Sequence, residues 1–416
     1  MQIEMSVVGK ALYPVFVVAS IFGVQVFEYY ILPLNFVHYG LMWTIYFVAF
    51  VALNIWTEFS TIFHPEYQYE VSYNVLASFI STGLTLRHRK KFDNCLESLE
   101  IINTSLGQFD IPDEYDKLHM WTWKVVGIWI FMVGFFILID IKWMYLLLGK
   151  FAGTMGSFWV NYPCCINLLN YIIICLLLWY TNSRFDRINR YVAALTAQNN
   201  SKTNWLFDWQ CGVSGLVNPV IIKKHERDIW IMMHLHGNLC KVSREINTIF
   251  GLQMALEIGT YFVYVSSLTI STCLNGLPTL SRMKSTGRGK SNILVSLIMG
   301  WIKGGFYVVR LVYINHMCES VSTKANSTRM ILHNFLSCVN AAEFREEILQ
   351  FILHMVNRPL KFHAAGMFHY GYSFIYTIVG ALTTLLVIIL QSSLVADEIF
   401  GFIMSQYMEN GTLRIN

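Results

Sequence analysis

Charge is what this sequence has least of. Asp, Glu, Lys and Arg make up 13% of its 416 residues, about half the share usual in soluble domains. The few charges cluster between apolar runs, and hydrophobic residues reach 55%. That balance argues against a large water-soluble enzyme and for a chain that crosses a membrane repeatedly. Enzymatic and metal-binding signatures are also missing: there is no zinc spacing, no P-loop, no G-x-S-x-G and no H-E-x-x-H. The twelve histidines are scattered. No catalytic residue, cofactor or metal is therefore expected, and no nucleic-acid partner. A disulfide framework is lacking too. Nine cysteines is an odd number, and Cys95, Cys211, Cys240, Cys318 and Cys338 fall in segments expected in the cytosol or inner leaflet, where thiols stay reduced.

What the sequence does have is long apolar runs. Stretches able to cross about 30 Å of hydrocarbon occupy residues 39–57, 70–86, 125–148, 158–180, 249–270, 292–314 and 371–391. They predict an all-α membrane protein with seven transmembrane helices. An eighth run, Ala11 to Phe27, is interrupted by Pro14 and Gln25 and lacks a small-residue cleavage site. It reads as an interfacial segment that either lies on the bilayer or dips into it. Basic clusters follow the second span ("RHRKK", Arg87 to Lys91), the fourth (Arg184, Arg187, Arg190) and the sixth (Lys324, Arg329, Arg345). Lys and Arg in short loops stay cytosolic, so the N-terminus is expected inside and the C-terminus outside. The "SRMKSTGRGK" loop, with Arg282, Lys284, Arg288 and Lys290, pulls the other way. The expected organisation is a cytosolic or interfacial segment (1–38), spans one to six with long cytosolic helical extensions (39–336), a cytosolic anchor helix (337–366), a last helix (367–391) and an external tail (392–416).

Seven spans also invite comparison with a G-protein-coupled receptor, whose N-terminus lies outside. The tempting fragment "RFDRINRY" follows the fourth span instead of the third, and the last span has no N-P-x-x-Y. It reads as a basic loop capping a helix end. A secondary transporter would often show inverted repeats, and none is seen.

Three patterns carry more. In "EFREEILQFILHMVNRP", Phe344, Ile348, Phe351 and Met355 form a narrow seam ended by Pro359. The seam suits either helices of another subunit or the protein's own cytosolic helices. Charges inside spans each cost about 2.5–3.5 kcal/mol at the bilayer centre. Lys303 and Arg310 lie seven apart on one face of span six, and Glu257 lies in span five, so a Glu257–Arg310 pair is expected. Finally, "GALTTLLVIILQSS" places Thr377, Gly380, Thr384, Val387, Ile388 and Gln391 on one stripe, with Leu382, Leu385, Leu386, Ile389 and Leu390 over the remaining surface. Such a stripe faces another helix or water in a channel.

These residues resemble the insect gustatory receptors, relatives of the odorant receptors. That family's last helix ends in T-Y, five apolar residues and Q-F. Here "TLLVIILQS" keeps Thr384, the apolar spacing and Gln391, with Leu385 and Ser392 in place of the aromatics. The stretches "LESLEIINTSL", "RFDRINRYVAAL", "HGNLCKVSREINTIFG" and "FHAAGMFHYGYSFIYTIVGALTT" resemble family counterparts in order and position. The resemblance implies a plasma-membrane, ligand-gated, non-selective cation channel of a gustatory neuron. It implies a homotetramer, or a hetero-oligomer with other gustatory receptors, whose last helices line a central pore. Thr384, Val387, Ile388 and Gln391 would line it, with Gln391 at the outer mouth and Ile388 a turn deeper as a hydrophobic gate. The family's anchor implies that the inner extensions and the Phe344–Met355 helix hold the assembly together. Its tastant pocket lies in the outer half of spans two to six, which here holds Asn74, Asp140, Trp143, Trp159, Asn170, Tyr261, Tyr264, Trp301 and Lys303. Sugar-sensing members usually carry an acidic residue just after the signature Thr-Tyr, a neighbourhood held here by Leu385 and Leu386. Bitter or other plant-derived compounds are therefore expected as ligands, with fructose-type sugars as the alternative.

The orientation has a direct test. Of the acceptor sites Asn103, Asn199, Asn326 and Asn410, only Asn410 faces the lumen if the N-terminus is inside. A glycosidase mobility shift should vanish in Asn410→Gln and persist in the other three single variants. Its survival in Asn410→Gln, with loss on removing one of the first three acceptors, would overturn the orientation.

Overall fold

The computed structural model describes residues 7–24, 36–57, 65–109, 115–208, 219–276, 287–336, 342–389 and 391. Its helices are α1 (Val7–Ile21), α2 (Phe36–Thr57), α3 (Pro65–Gly107), α4 (Tyr115–Leu148), α5 (Lys150–Asp208), α6 (Pro219–Ile270), α7 (Gly287–Leu336), α8 (Ala342–Asn357) and α9 (Tyr372–Ile389). A π-helical turn, Ser271–Gly276, continues α6. Between α8 and α9 a two-stranded hairpin pairs β1 (His363–Ala364) with β2 (Phe368–His369).

Among the described residues, five helices are long and apolar enough to cross a membrane: α4, α5, α6, α7 and α9. Shorter apolar stretches lie in α1 and α2. The expected second span, 70–86, forms the first half of α3 and is more polar than the others for a structural reason. Ser78, Ser81, Thr82 and Thr85 are buried there. Thr82 and Thr85 donate to carbonyls one turn back, at 2.7 and 2.9 Å, as hydroxyls in helices do. Gln253 of α6 reaches across to the Ser81 carbonyl at 2.8 Å and to Thr85 Oγ1 at 2.7 Å. Hydroxyls thus serve the α3–α6 contact and need not meet lipid.

The run from Ala11 lies partly in α1, whose residues Val8, Ala11, Leu12, Val15, Phe16 and Ala19 are buried at helical spacing. They pack lengthwise on α3 and α4, with Phe16 edge-on to Phe92 at 6.2 Å. Glu100 of α3 accepts the Val7 N–H at 3.0 Å and so answers one of the orphan donors of the α1 N-terminus.

Two expected loops are absent. α5, at 59 residues, is about 88 Å long at about 1.5 Å per residue and outruns any bilayer. Its "RFDRINRY" stretch is therefore uninterrupted helix and not a basic loop. Asp186 meets Arg190 at 2.5 Å and Lys324 of α7 at 3.5 Å. Asn189 donates to the Lys324 carbonyl at 2.7 Å and accepts from Thr328 at 2.5 Å. The residues that mimic a receptor motif here fasten α5 to α7.

The second missing loop is the one expected between spans three and four. Gly149 alone joins α4 to α5, with φ +82°, a left-handed conformation natural to glycine. Gly153 then lies against the end of α4, where an added Cβ would approach the Met144 and Tyr145 backbone to 2.7 Å. Backbone cannot yield cheaply. Gly153→Ala should cost about 1–3 kcal/mol as an overpacked contact, and Gly127→Ala, with open space around it, should not. Thermal unfolding of the detergent-purified proteins checks this: equal melting temperatures for the two variants would refute the close approach.

Candidate functional site

Five helices contribute to a polar and aromatic column inside the bundle. At one end, Lys303 of α7 bonds both carboxylate oxygens of Asp140 in α4 at 2.6 Å. Asn161 of α5 donates a further bond to Asp140 at 2.7 Å. Glu70 of α3 lies within electrostatic range of both charges. Seven residues along α7, Arg310 meets Glu257 of α6 at 2.8 Å, both side chains 6% exposed. Tyr261 donates its hydroxyl to the same carboxylate oxygen at 2.8 Å. The guanidinium is surrounded by rings, with Tyr171 at 4.6 Å, Tyr261 at 5.0 Å, Tyr307 at 5.6 Å and Phe306 at 5.8 Å. Desolvated cation–π contacts add to such a pair.

Aromatic contacts join the two ends. Tyr307 stands 4.6 Å from Tyr264 and 5.4 Å from Tyr261, and Tyr264 donates to the Gly300 carbonyl at 3.1 Å. Beside Glu257, a cavity lined by Tyr171, Met254, Tyr261 and Ile314, among others, measures about 10 Å³. That is room for about one water and far below the roughly 300 Å³ at which small-molecule pockets begin.

The structure thus brings together Asp140, Lys303, Tyr261, Tyr264, Glu257 and Arg310. The remaining pocket candidates make other contacts. Trp159 stacks on Tyr46 of α2 at 4.8 Å, Trp143 packs beside Met144 at the α4–α5 turn, and Trp301 is 48% exposed. Asn74 is buried and bonds the Glu70 carbonyl at 3.0 Å. The Asn170 amide is buried with no hydrogen-bond partner among the described residues. Sequence reasoning missed Glu70, Asn161, Tyr171 and Tyr307. Asn161 was findable, because it is a polar residue inside an apolar run; the tyrosines carry no signal that separates them from the other aromatics.

The last helix stands apart. Ile378, Leu382, Leu385, Leu386 and Ile389 are buried or half-buried, whereas Thr377, Gly380, Thr384, Val387, Ile388 and Gln391 are all exposed. The small and polar stripe therefore faces away from the chain's own bundle. Its first turn is tied to α7: Asn315 accepts the Gly371 N–H at 3.0 Å, and His316 Nδ1 lies 2.6 Å from the Tyr372 hydroxyl. Gly371 has φ +148°, a conformation that favours glycine, and the mobile end of Glu319 lies beside it.

Of the α8 seam, Ile348 and Met355 are buried within the chain. Phe344 and Phe351 are half-buried against the same core, Phe351 lying 5.7 Å from His236 of α6. Of the two roles weighed for this seam, packing on the chain's own helices is what these contacts provide. Leu349, Leu353 and Val356 are the exposed apolar residues of α8. Asn410 and the external tail lie outside the described residues.

Removing one partner of a buried ion pair strands the other charge, at about 3–5 kcal/mol. Arg310→Met should therefore lower thermal stability strongly, and Glu257→Gln combined with Arg310→Met should recover much of the loss. Additive losses in the double variant, read by thermal melts, would show that the two groups do not depend on each other.

Comparison with known proteins places this geometry. The model of the 7tm chemosensory receptor family matches residues 12–395. Putative gustatory receptor 28b of Drosophila melanogaster is 25% identical over 185 residues, which is 44% of this chain and 38% of that protein. Gustatory and pheromone receptor 32a of the same organism is 25% identical over 183 residues, 44% of this chain and 37% of that one. The matched part of the chain thus spans less than two-fifths of the length of these relatives. The insect olfactory receptor OR5 from Machilis hrabei, in complex with eugenol, superposes with a TM-score of 0.60 at 12% identity, covering 92% of this chain and 98% of that one. A second structure of that receptor gives 0.61 at 11% identity over the same shares. At such identities the likeness is one of fold. With nearly its whole length matched by the family model, the chain belongs to the 7tm chemosensory receptor family.

Proposed function

We propose that this chain is a subunit of a ligand-gated, non-selective cation channel that acts as a gustatory receptor. Seven spans with a cytosolic N-terminus hold it in the plasma membrane, and α9 from each of several subunits, four in the favoured arrangement, lines the pore. One observation carries this reading: α9 lays Ile378 and Leu382 on its own bundle and turns Thr384, Val387, Ile388 and Gln391 outward. A polar stripe exposed to lipid is costly, so it calls for water or for further copies of itself. Ringed around an axis, Gln391 offers hydrated but uncharged amides, and Ile388 forms an apolar constriction that closes by dewetting.

The tastant site is the outer part of the column, around Asp140, Lys303 and Tyr264. Aromatic faces with a few polar anchors suit flat or amphipathic small molecules, and the eugenol held by the related olfactory receptor is a ligand of that kind. Bitter or other plant-derived compounds are the favoured class. Binding opens the close packing of the column, and α7 transmits the change to α9 through Asn315 and His316.

Cells expressing this chain alone should give cation current when exposed to active compounds from a panel of plant alkaloids, phenols and sugars. Ile388→Ser should add a standing current without ligand, because a hydrated gate no longer dewets. Silence across the panel with surface expression confirmed, together with no leak in Ile388→Ser, would overturn the reading.

A further inference from the structure

The hairpin between α8 and α9 brings two imidazoles side by side. His363 pairs with His369 in the antiparallel register, and their ring centroids lie 4.3 Å apart at an interplanar angle of 52°. The backbone explains the closeness. The Tyr370 N–H donates to the Phe362 carbonyl at 3.0 Å, on one side of the pair, and the Met367 N–H closes the turn to the Ala364 carbonyl at 2.9 Å on the other. His363 sends its own N–H away from β2, to Asn247 of α6 at 2.9 Å. The two histidines thus form a non-hydrogen-bonded pair, the type in which cross-strand side chains approach most closely.

The platform under them is fixed. Phe362 and Ala364 are fully buried and Tyr370 nearly so, while Phe368 stacks on Phe374 of α9 at 4.1 Å. The imidazoles themselves stay reachable: His363 is half-buried and His369 exposed.

We propose that His363 and His369 form a two-imidazole site for a borderline divalent transition-metal ion such as Zn²⁺, Cu²⁺ or Ni²⁺. Metal–nitrogen bonds of about 2.0–2.1 Å and angles of about 90–110° put two coordinated imidazole centroids about 4.5–5.2 Å apart. The observed 4.3 Å needs only a small rotation about the broad χ2 of histidine. Imidazole selects these ions over Mg²⁺ and Ca²⁺, which prefer oxygen. Among the described residues no third His, Cys, Asp or Glu completes a cluster, so water fills the remaining positions and the ion is exchangeable. Bound there, it clips the segment leaving α8 to the segment entering α9. If the channel reading holds, the ion acts as a cytosolic modulator of the helix that carries the pore stripe.

The test uses the full chain purified in detergent and Cu²⁺ as probe, read by electron paramagnetic resonance for coupling to two imidazole nitrogens, with Zn²⁺ titrated by calorimetry. One site per chain is expected. Its affinity should fall roughly tenfold or more in His363→Gln and in His369→Gln, since even second-shell changes cost that much, and hold in His354→Gln on exposed α8. Unchanged affinity in His369→Gln would overturn the site; that side chain is exposed, so its loss does not threaten folding. Copper coupling to a single nitrogen in the wild type would overturn it as well. These readouts need no current, so failure of the channel reading leaves the binding result intact.

Discussion

A cation removed from water must meet its counter-charge inside the protein, and α7 carries two of them. Lys303 finds Asp140 on α4, and Arg310 finds Glu257 on α6. Their separation of seven positions amounts to about 10.5 Å along one face of the helix, so α7 is pinned twice, to different partners, at a fixed spacing. Its rotation and its height relative to α4 and α6 follow from that. The tyrosines around Arg310 and between the two pairs fill the space that the charges define, and Tyr261 donates its hydroxyl to the Glu257 carboxylate.

The same helix reaches the last one. Beyond Arg310, Asn315 holds Gly371 and His316 holds Tyr372, while Lys324, Ser327 and Thr328 engage α5 through Asp186 and Asn189. A rigid rod carrying two intramembrane ion pairs, the entry to α9 and the junction with α5 cannot shift axially without disturbing all of them. The Gly371 corner sharpens this dependence. With Gly371 at φ +148° and its N–H on Asn315, the turn into α9 is fastened to α7.

Much of this was legible in the sequence, and the reasons differ from element to element. The Glu257–Arg310 geometry could be anticipated because insertion costs make intramembrane charges rare, leaving few partners to choose among. The outward stripe of α9 could be read because a 3.6-residue period separates leucines from small and polar positions without knowledge of the neighbours. The Asp140–Lys303 pair escaped as a pair, although both residues were singled out, because spacing within one helix says nothing about which other helix faces it. Boundaries were harder. Gly149 and Gly153 replace a whole expected loop, since a one-residue turn between helices depends on close backbone approach, which leaves no mark in hydropathy. Likewise α5 continues through "RFDRINRY" because its charges are answered by α7, and a reading of one segment sees only the charges.

The last helix is less enclosed than the helices that carry the ion pairs. Ile378 and Leu382 meet the bundle, while Tyr376, Val379, Val387 and Ile388 are exposed beside Thr384 and Gln391. Thr384 quiets its own hydroxyl by donating to the Gly380 carbonyl at 2.9 Å, as a threonine in an apolar setting can. Glutamine at the end of the stripe is exposed. Its amide keeps donors and acceptors that only water or another polar group can meet. Gly380 adds a second constraint, since an open position with nothing against it lets a neighbouring helix or a hydrated space come close to the backbone. Small, polar and apolar residues therefore follow one another along an exposed line of α9, and it is on that order that the proposed pore lining rests.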